Sequence, residues 1–173
     1  YIKSTGGKSE TFIVGARADT DTGVGVGACR CVTLYNSNGT IIEGFTLTNG
    51  STVAESPTGS GYEIECGGFY SCNTQVAVYL VDSDVRNCTA CNFPATYFGT
   101  LIRCLIENNN TMEAGGGNQI CRNSNFYNSI ATFYYDLVVF GTASVLIYED
   151  YDNVINCINP CLGEYYVDID HKY

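Results

Sequence analysis

At 173 residues, 45% hydrophobic and with a mean hydropathy near zero, the chain can bury a core of its own and is too apolar for a disordered segment. Its 8 Lys and Arg against 18 acids leave a formal net charge of −10, which argues against a nucleic-acid partner and against an anionic membrane surface. No run approaches the roughly 18 apolar residues of a membrane helix, so membrane insertion by a helix is not expected.

Sustained helical spacing of apolar residues is absent, and short apolar runs separated by Gly, Asn, Asp and Thr predict an all-β chain. The opening segment YIKSTGG reads as a strand with no initiator Met or signal peptide, as expected for a processed portion of something longer. Next comes IIEGFTLTNG (41–50), a strand over 41–48 stopped by Asn49-Gly50. Asn-Gly is a hairpin turn signal, yet the following STVAESPTGSG holds no antiparallel partner strand.

Internal repetition supplies the partner. The segments FTLTN (45–49), CTACN (88–92), CLIEN (104–108) and SNFYN (124–128) align, with degenerate copies at SVLIY (144–148) and CINPC (157–161). One further unit falls between the first two, around GYEIECGGFYS or VAVYLVDSD. The irregular period, on the order of 16 to 22 residues, is that of a solenoid in which each strand pairs in parallel with its equivalent one repeat later. Coils stacked at roughly 4.8 Å, about eight of them, would form a rod roughly 40 Å long. The expectation is one β-solenoid domain over 1–173: N-terminal coils (1–50), regular Gly/Cys/Asn coils (51–130) and divergent Tyr-rich coils (131–173). Asn49, Asn92, Asn108 and Asn128 are expected to turn the corners, since Asn tolerates a left-handed backbone. Cys88, Cys104 and Ser124 are expected to stack as an interior ladder.

The even count of 10 cysteines in a Lys-poor, Tyr- and Asn-rich chain fits either secretion with disulfides or small buried thiols. Cys88 and Cys104, one coil apart, would be close enough for a disulfide, although an unbonded ladder is the preferred reading. Cys29 and Cys31 share a strand face and would need partners elsewhere, with Cys66 and Cys72 as candidates. Zinc is not expected at Cys88 and Cys91, because residues three apart on a strand face opposite ways.

The runs YIKSTGGKSETFIVG, CRCVTLYNSNGTIIEGFTLTNG, GGF, VRNCTACN, LIRCLIENNN and AGGGNQI resemble bacterial right-handed parallel β-helix repeat proteins. These are secreted or surface proteins related to the repeats of polymorphic outer-membrane proteins and autotransporter passengers. The resemblance covers most of residues 1–162 and implies a right-handed parallel β-helix in a secreted, extracellular or cell-surface protein. It weakens after about residue 130, where ATFYYDLVVFGTASVLIYEDYDNV lacks the Gly run. The fold so implied carries lyases, hydrolases, tailspikes, adhesins and plain stalks, so it leaves function open.

Acids two apart recur at Asp82/Asp84, Glu63/Glu65, Asp150/Asp152, Asp168/Asp170 and Asp19/Asp21. Pairs on one strand face could serve acid/base chemistry or Ca²⁺, although no pair has the third acid that six to eight oxygen ligands would ask for. Arg86, Arg103 and Arg122 recur near the segment starts, and an Arg stack above Asp82 and Asp84 would make a sugar-acid site. The plainer reading is a solvated face with arginines neutralising an acidic surface. His171, the single histidine, is a poor anchor for a catalytic triad. Tyr134, Tyr135, Tyr148, Tyr151, Tyr165 and Tyr166 stand beside acids and suit sugar stacking, protein contact or core packing. Asn38, Asn49, Asn87 and Asn109 head N-x-S/T sequons expected at exposed corners.

The leading expectation is a non-enzymatic structural module: a stalk, an adhesin segment or a filament subunit, partnered by itself end to end or by neighbouring segments of a longer chain, without a cofactor. No capping helix is legible at either end of the repeats. A carbohydrate-active lyase or hydrolase, and a glycan-binding adhesin or tailspike segment, are the alternatives.

Overall fold

Strand pairing in the computed structural model is parallel at every ladder between named strands, so the strand ending at Thr48 finds partners along the coil axis and none in a hairpin. The structure describes residues 1–55, 61–72, 77–111, 121–133, 143–149 and 166–169, the last three segments as strand backbone.

The strands are short, as the turn residues between the apolar runs dictate. In chain order they are β1 (Ile2–Lys3), β2 (Phe12–Val14), β3 (Val32–Leu34), β4 (Thr40–Glu43), β5 (Thr46–Thr48), β6 (Phe69–Ser71), β7 (Val78–Val81), β8 (Asp84–Arg86), β9 (Thr89–Ala90), β10 (Thr96–Ile102), β11 (Leu105–Glu107), β12 (Asn110–Thr111), β13 (Cys121–Phe133), β14 (Ala143–Glu149) and β15 (Tyr166–Ile169). A single 3-10 turn, Gly61–Glu63, is the only helical element among the described residues. One stack runs β1-β4-β7-β10-β13, a second runs β2-β5-β8-β11-β13, and a third joins β3 and β6 to β10. The long strand β13 joins the first two stacks into one curled sheet, pairing with β10 and then with β11. The chain is therefore all-β, with parallel strands in curled layers, an arrangement compatible with a coiled solenoid.

Period-2 alternation sends every second side chain inward, and register stacks these into aliphatic columns. Ile42, Leu80 and Leu101 are direct register partners in the first stack, and Leu47, Val85 and Ile106 in the second. All six are buried in one cluster, joined by Phe69, Val78, Cys88, Ala95 and Cys104. On the other face of the third stack, Tyr70, Tyr97, Phe93 and Cys66 form a second cluster. Fully burying an aliphatic side chain contributes about 1.5 to 3 kcal/mol, so the columns carry much of the stability.

The corners need left-handed backbone. Asn49, Asn87 and Asn108 have φ of 57°, 56° and 52°, and Gly44, Asp82 and Arg103 take φ of 79°, 46° and 53° at the other corner. This corrects the expected repeat alignment. Thr46, Asp84 and Leu105 share a register, so Phe45, Ser83 and Cys104 are equivalent, as are Asn49, Asn87 and Asn108. Cys88 lies past the corner, where its N–H bonds the side chain of Asn109, and does not stack on Cys104. Ser124 pairs with Gly99, and Asn92 sits in an isolated bridge with Glu65. Asn128 follows Tyr127, the register partner of Ile102, which sets it opposite Arg103. The CxxxN recurrence misled because register follows the inward aliphatic positions, and residues 88–92 belong to a short separate strand and its turn.

Backbone crowding explains another part of the sequence. A Cβ on Gly50 would lie 1.9 Å from the Gly67 carbonyl oxygen, and one on Gly67 would lie 2.5 Å from that of Gly50. The coils approach most closely here, and only glycine fits.

Candidate functional site

The four residues singled out for carbohydrate chemistry are all ion-paired across coils. Asp82 is at a left-handed corner between β7 and β8, so it does not share a strand face with Asp84, the first residue of β8. Its two carboxylate oxygens accept from Arg103, Nε to Oδ1 at 2.6 Å and Nη2 to Oδ2 at 2.6 Å. This fork holds the Asp82 carboxyl below its ordinary pKa, chiefly through the hydrogen bonds from Arg103, and raises that of the guanidinium in turn.

Asp84 is buried and takes a 2.6 Å ion pair from Lys8 Nζ. Lys8 reaches it because residues 4–11 fold over the outside of β5 and β8. Ser4 Oγ accepts the Gly7 N–H at 2.9 Å to shape that loop, and Thr46 Oγ1 donates to the Lys8 carbonyl at 2.7 Å to hold it down. Arg86 faces its register partner Glu107 at 3.7 Å. Arg86 and Arg103 are thus not equivalent: one is the last residue of β8, before the Asn corner, and the other occupies the opposite corner. Arg122 pairs with Tyr97 in the ladder. Between the first two strands of the first stack, Lys3 and Glu43 are direct register neighbours bridged at 2.7 Å, and the Tyr1 hydroxyl donates to the same Glu43 carboxylate. The Lys3 hydrogen bond, more than that of Tyr1, holds the Glu43 carboxyl below its usual pKa.

The constellation therefore braces one coil against the next. A carboxylate forked by arginine through both oxygens is a poor general acid or base, since its proton affinity is lowered and its lone pairs are engaged. Among the described residues, no group of three or more His, Cys, Asp and Glu could hold a metal ion.

Sequence reasoning missed the aromatic cluster. Tyr70 and Tyr97 are register partners, and their rings stack at 5.3 Å and 18°. Phe98 meets Tyr97 edge-on at 4.6 Å, and the Arg30 guanidinium lies 4.8 Å over Tyr70 while its Nε donates to the carbonyls of Glu65 and Cys66. Burial raises the Tyr70 hydroxyl above its ordinary pKa. The signal was available as FY at 69–70 and TY at 96–97, the same offset in successive coils. Of the tyrosines singled out as surface contacts, Tyr148 and Tyr166 lie in β14 and β15, while Tyr134, Tyr135, Tyr151 and Tyr165 fall outside the described residues. His171, Asp150, Asp152, Asp170 and the CINPC cysteines also fall outside them.

Among the described residues, the exposed large apolar side chains are Tyr1, Ile2, Phe12, Val14, Val26 and Tyr35, of which Ile2, Phe12 and Val14 lie on terminal strands of the stacks. Strands β1, β2 and β3 are the terminal members of the three stacks and have no outer ladder partner among the described residues. Ile2 is 55% exposed, Phe12 46% and Val14 62%, and Tyr1 and Tyr35 are exposed beside them. Ile2 continues the column of Ile42, Leu80 and Leu101, and Ile13 continues that of Leu47 and Val85.

Residues 118–172 match the model of a family described as bacteriophage head to tail connecting protein, a match over less than half of the chain that takes in β13, β14 and β15. No curated protein and no solved structure matches the chain.

Proposed function

We propose that this chain is a non-enzymatic structural module, a right-handed parallel β-helix of the bacterial repeat type, whose stacks are extended end to end by a second copy. The observation that carries the reading is the set of open parallel edges at β1, β2 and β3, with Ile2 exposed at the open end of the Ile42 column. Such an edge templates another strand, and the paired edges of β1 and β2, with that of β3 one coil further in, can accept strands of a coil of the same kind. A head-to-tail contact is heterologous and grows into an open fibre. The match of residues 118–172 to a family described as bacteriophage head to tail connecting protein supports a part in an assembly with other structural subunits. A secreted or cell-surface location belongs to this reading and rests on the Lys-poor, Tyr- and Asn-rich composition.

Light scattering after size exclusion, paired with negative-stain imaging, tests the proposal. Rods that lengthen with concentration, and that are lost in the Ile2→Asp variant, are expected. A monomer at every concentration, with no rods, would overturn it.

A further inference from the structure

Cys31 and Cys88 are far apart in sequence and meet in the core because of a glycine. Cys31 precedes β3, with its N–H fixed on the Gly67 carbonyl at 2.9 Å. Its thiol turns inward and donates to the Thr48 carbonyl at 3.2 Å. A Cβ on Gly50 would be 2.8 Å from that sulfur, so the absent side chain leaves the space the thiol occupies. Because Thr48 is the register partner of Arg86, Gly50 holds in its coil the place that Cys88 holds in the next, so the Cys31 sulfur is seated directly over the Cys88 side chain. Cys88 is wholly buried in the main core cluster, and Cys31 packs against that cluster while keeping partial exposure. Both backbones are held, since Cys88 N–H donates to Asn109 Oδ1 at 2.9 Å and Thr89 N–H to the Gly50 carbonyl at 2.9 Å.

We propose that Cys31 and Cys88 are an oxidation site, a dithiol that closes to a reversible disulfide and cross-links the segment entering β3 to the segment leaving β8. Cys31 and Cys88 are both free thiols, so the structure shows the pair in its reduced form. The oxidant is a low-molecular-weight disulfide. Cys31, as the thiolate, attacks one sulfur of the reagent. A Cys31–reagent disulfide forms, the reagent's own S–S bond breaks, and the departing thiolate takes up the proton Cys31 released. Cys88 then loses its proton and attacks Cys31 Sγ, and the second reagent thiol leaves with that proton. Two protein thiols are oxidised and one disulfide is reduced to two thiols.

The environments set the order of attack. The hydrogen bond from Cys88 lowers the Cys31 thiol below its ordinary pKa against the opposing effect of burial, whereas Cys88 is pushed well above by its bond to Cys31 and by burial. Cys31 is also the one a reagent can reach. Cys104 is an inert neighbour, held near the other corner by the Leu80 carbonyl at 3.3 Å and pushed up by burial to about 12.

The test treats the full chain with glutathione disulfide, blocks remaining thiols with N-ethylmaleimide and digests without reduction, using trypsin and a Glu-specific protease. Cleavage after Arg30 and Glu43 isolates Cys31, and cleavage after Arg86 and Arg103 leaves Cys88 with Cys91, which fragmentation separates. The expected product is a Cys31–Cys88 linked peptide that dithiothreitol removes and that disappears in Cys31→Ser. Cys31→Ser keeps the buried partner intact, and its circular dichroism and thermal transition report whether it folds. Should that variant not fold, the wild-type digest decides alone. Cys31 recovered as a stable glutathione adduct with Cys88 still reduced, or Cys31 linked to another cysteine, overturns the proposal.

Discussion

The side chain of Asn109 stands in for a strand: its Oδ1 accepts the Cys88 N–H at 2.9 Å and its Nδ2 donates to the Val85 carbonyl at 2.9 Å. Both groups belong to the coil beneath, just where β8 gives way to the corner. Replacing Asn109 by Ala takes the acceptor from the partly buried Cys88 N–H, at a cost of about 1 to 3 kcal/mol. Urea denaturation should show the loss, with Asn109→Asp partly retaining stability because it keeps the acceptor for Cys88. The same geometry corrects the view of Asn109 as a free corner sequon, since its amide nitrogen is already engaged.

Gly50 and Gly67 should tolerate no side chain. The clash at 1.9 Å is with backbone oxygen, which cannot rotate aside as a flexible side chain would. Gly50→Ala is expected to cost about 3 kcal/mol or to prevent folding. Gly39 provides the comparison. Its φ is +75° with nothing within 4 Å of a Cβ, so Gly39→Ala should cost only about 1 to 2 kcal/mol from backbone strain. Thermal melts of the two variants separate crowding from conformation.

Column position should decide the effect of truncating an aliphatic residue. Leu80→Ala, at a wholly buried site between Ile42 and Leu101, is expected to cost about 2 to 5 kcal/mol. Ile2→Ala, at the exposed end of the same column, should leave monomer stability near wild type while weakening end-to-end assembly. Chemical denaturation and light scattering on the same samples check the two halves of the prediction.

Acid should loosen the corner braces. Asp82 and Glu43 have folded pKa values depressed by Arg103 and Lys3, so their contribution is present above the unfolded carboxylate values, about 4, and is lost as pH falls through the lower folded ones. Both sites are solvent-accessible, so the effect is small and salt-sensitive. Asp82→Asn should flatten the fall in melting temperature below about pH 4. An unchanged slope in that variant would show that the Asp82 fork contributes nothing to stability.

Short strands and parallel pairing by repetition were both legible in the chain, because period-2 alternation and turn residues are local properties. The Asn at 49 and 108 was also legible as a corner residue, since a left-handed backbone selects Asn and Gly. What the sequence left open was register. Cys88 and Asn92 mimic the repeat, yet Asn87 holds the equivalent corner, and the decision came from stacking Val85 on Leu47 and Ile106. Tertiary structure alone decided the pairings of Asp82 with Arg103 and Lys8 with Asp84, and the seat of Cys31 over Cys88. The last two join residues distant in sequence. Each pairing depends on which side chains the coil register brings together, and, for the thiols, on a glycine that keeps the space between them open.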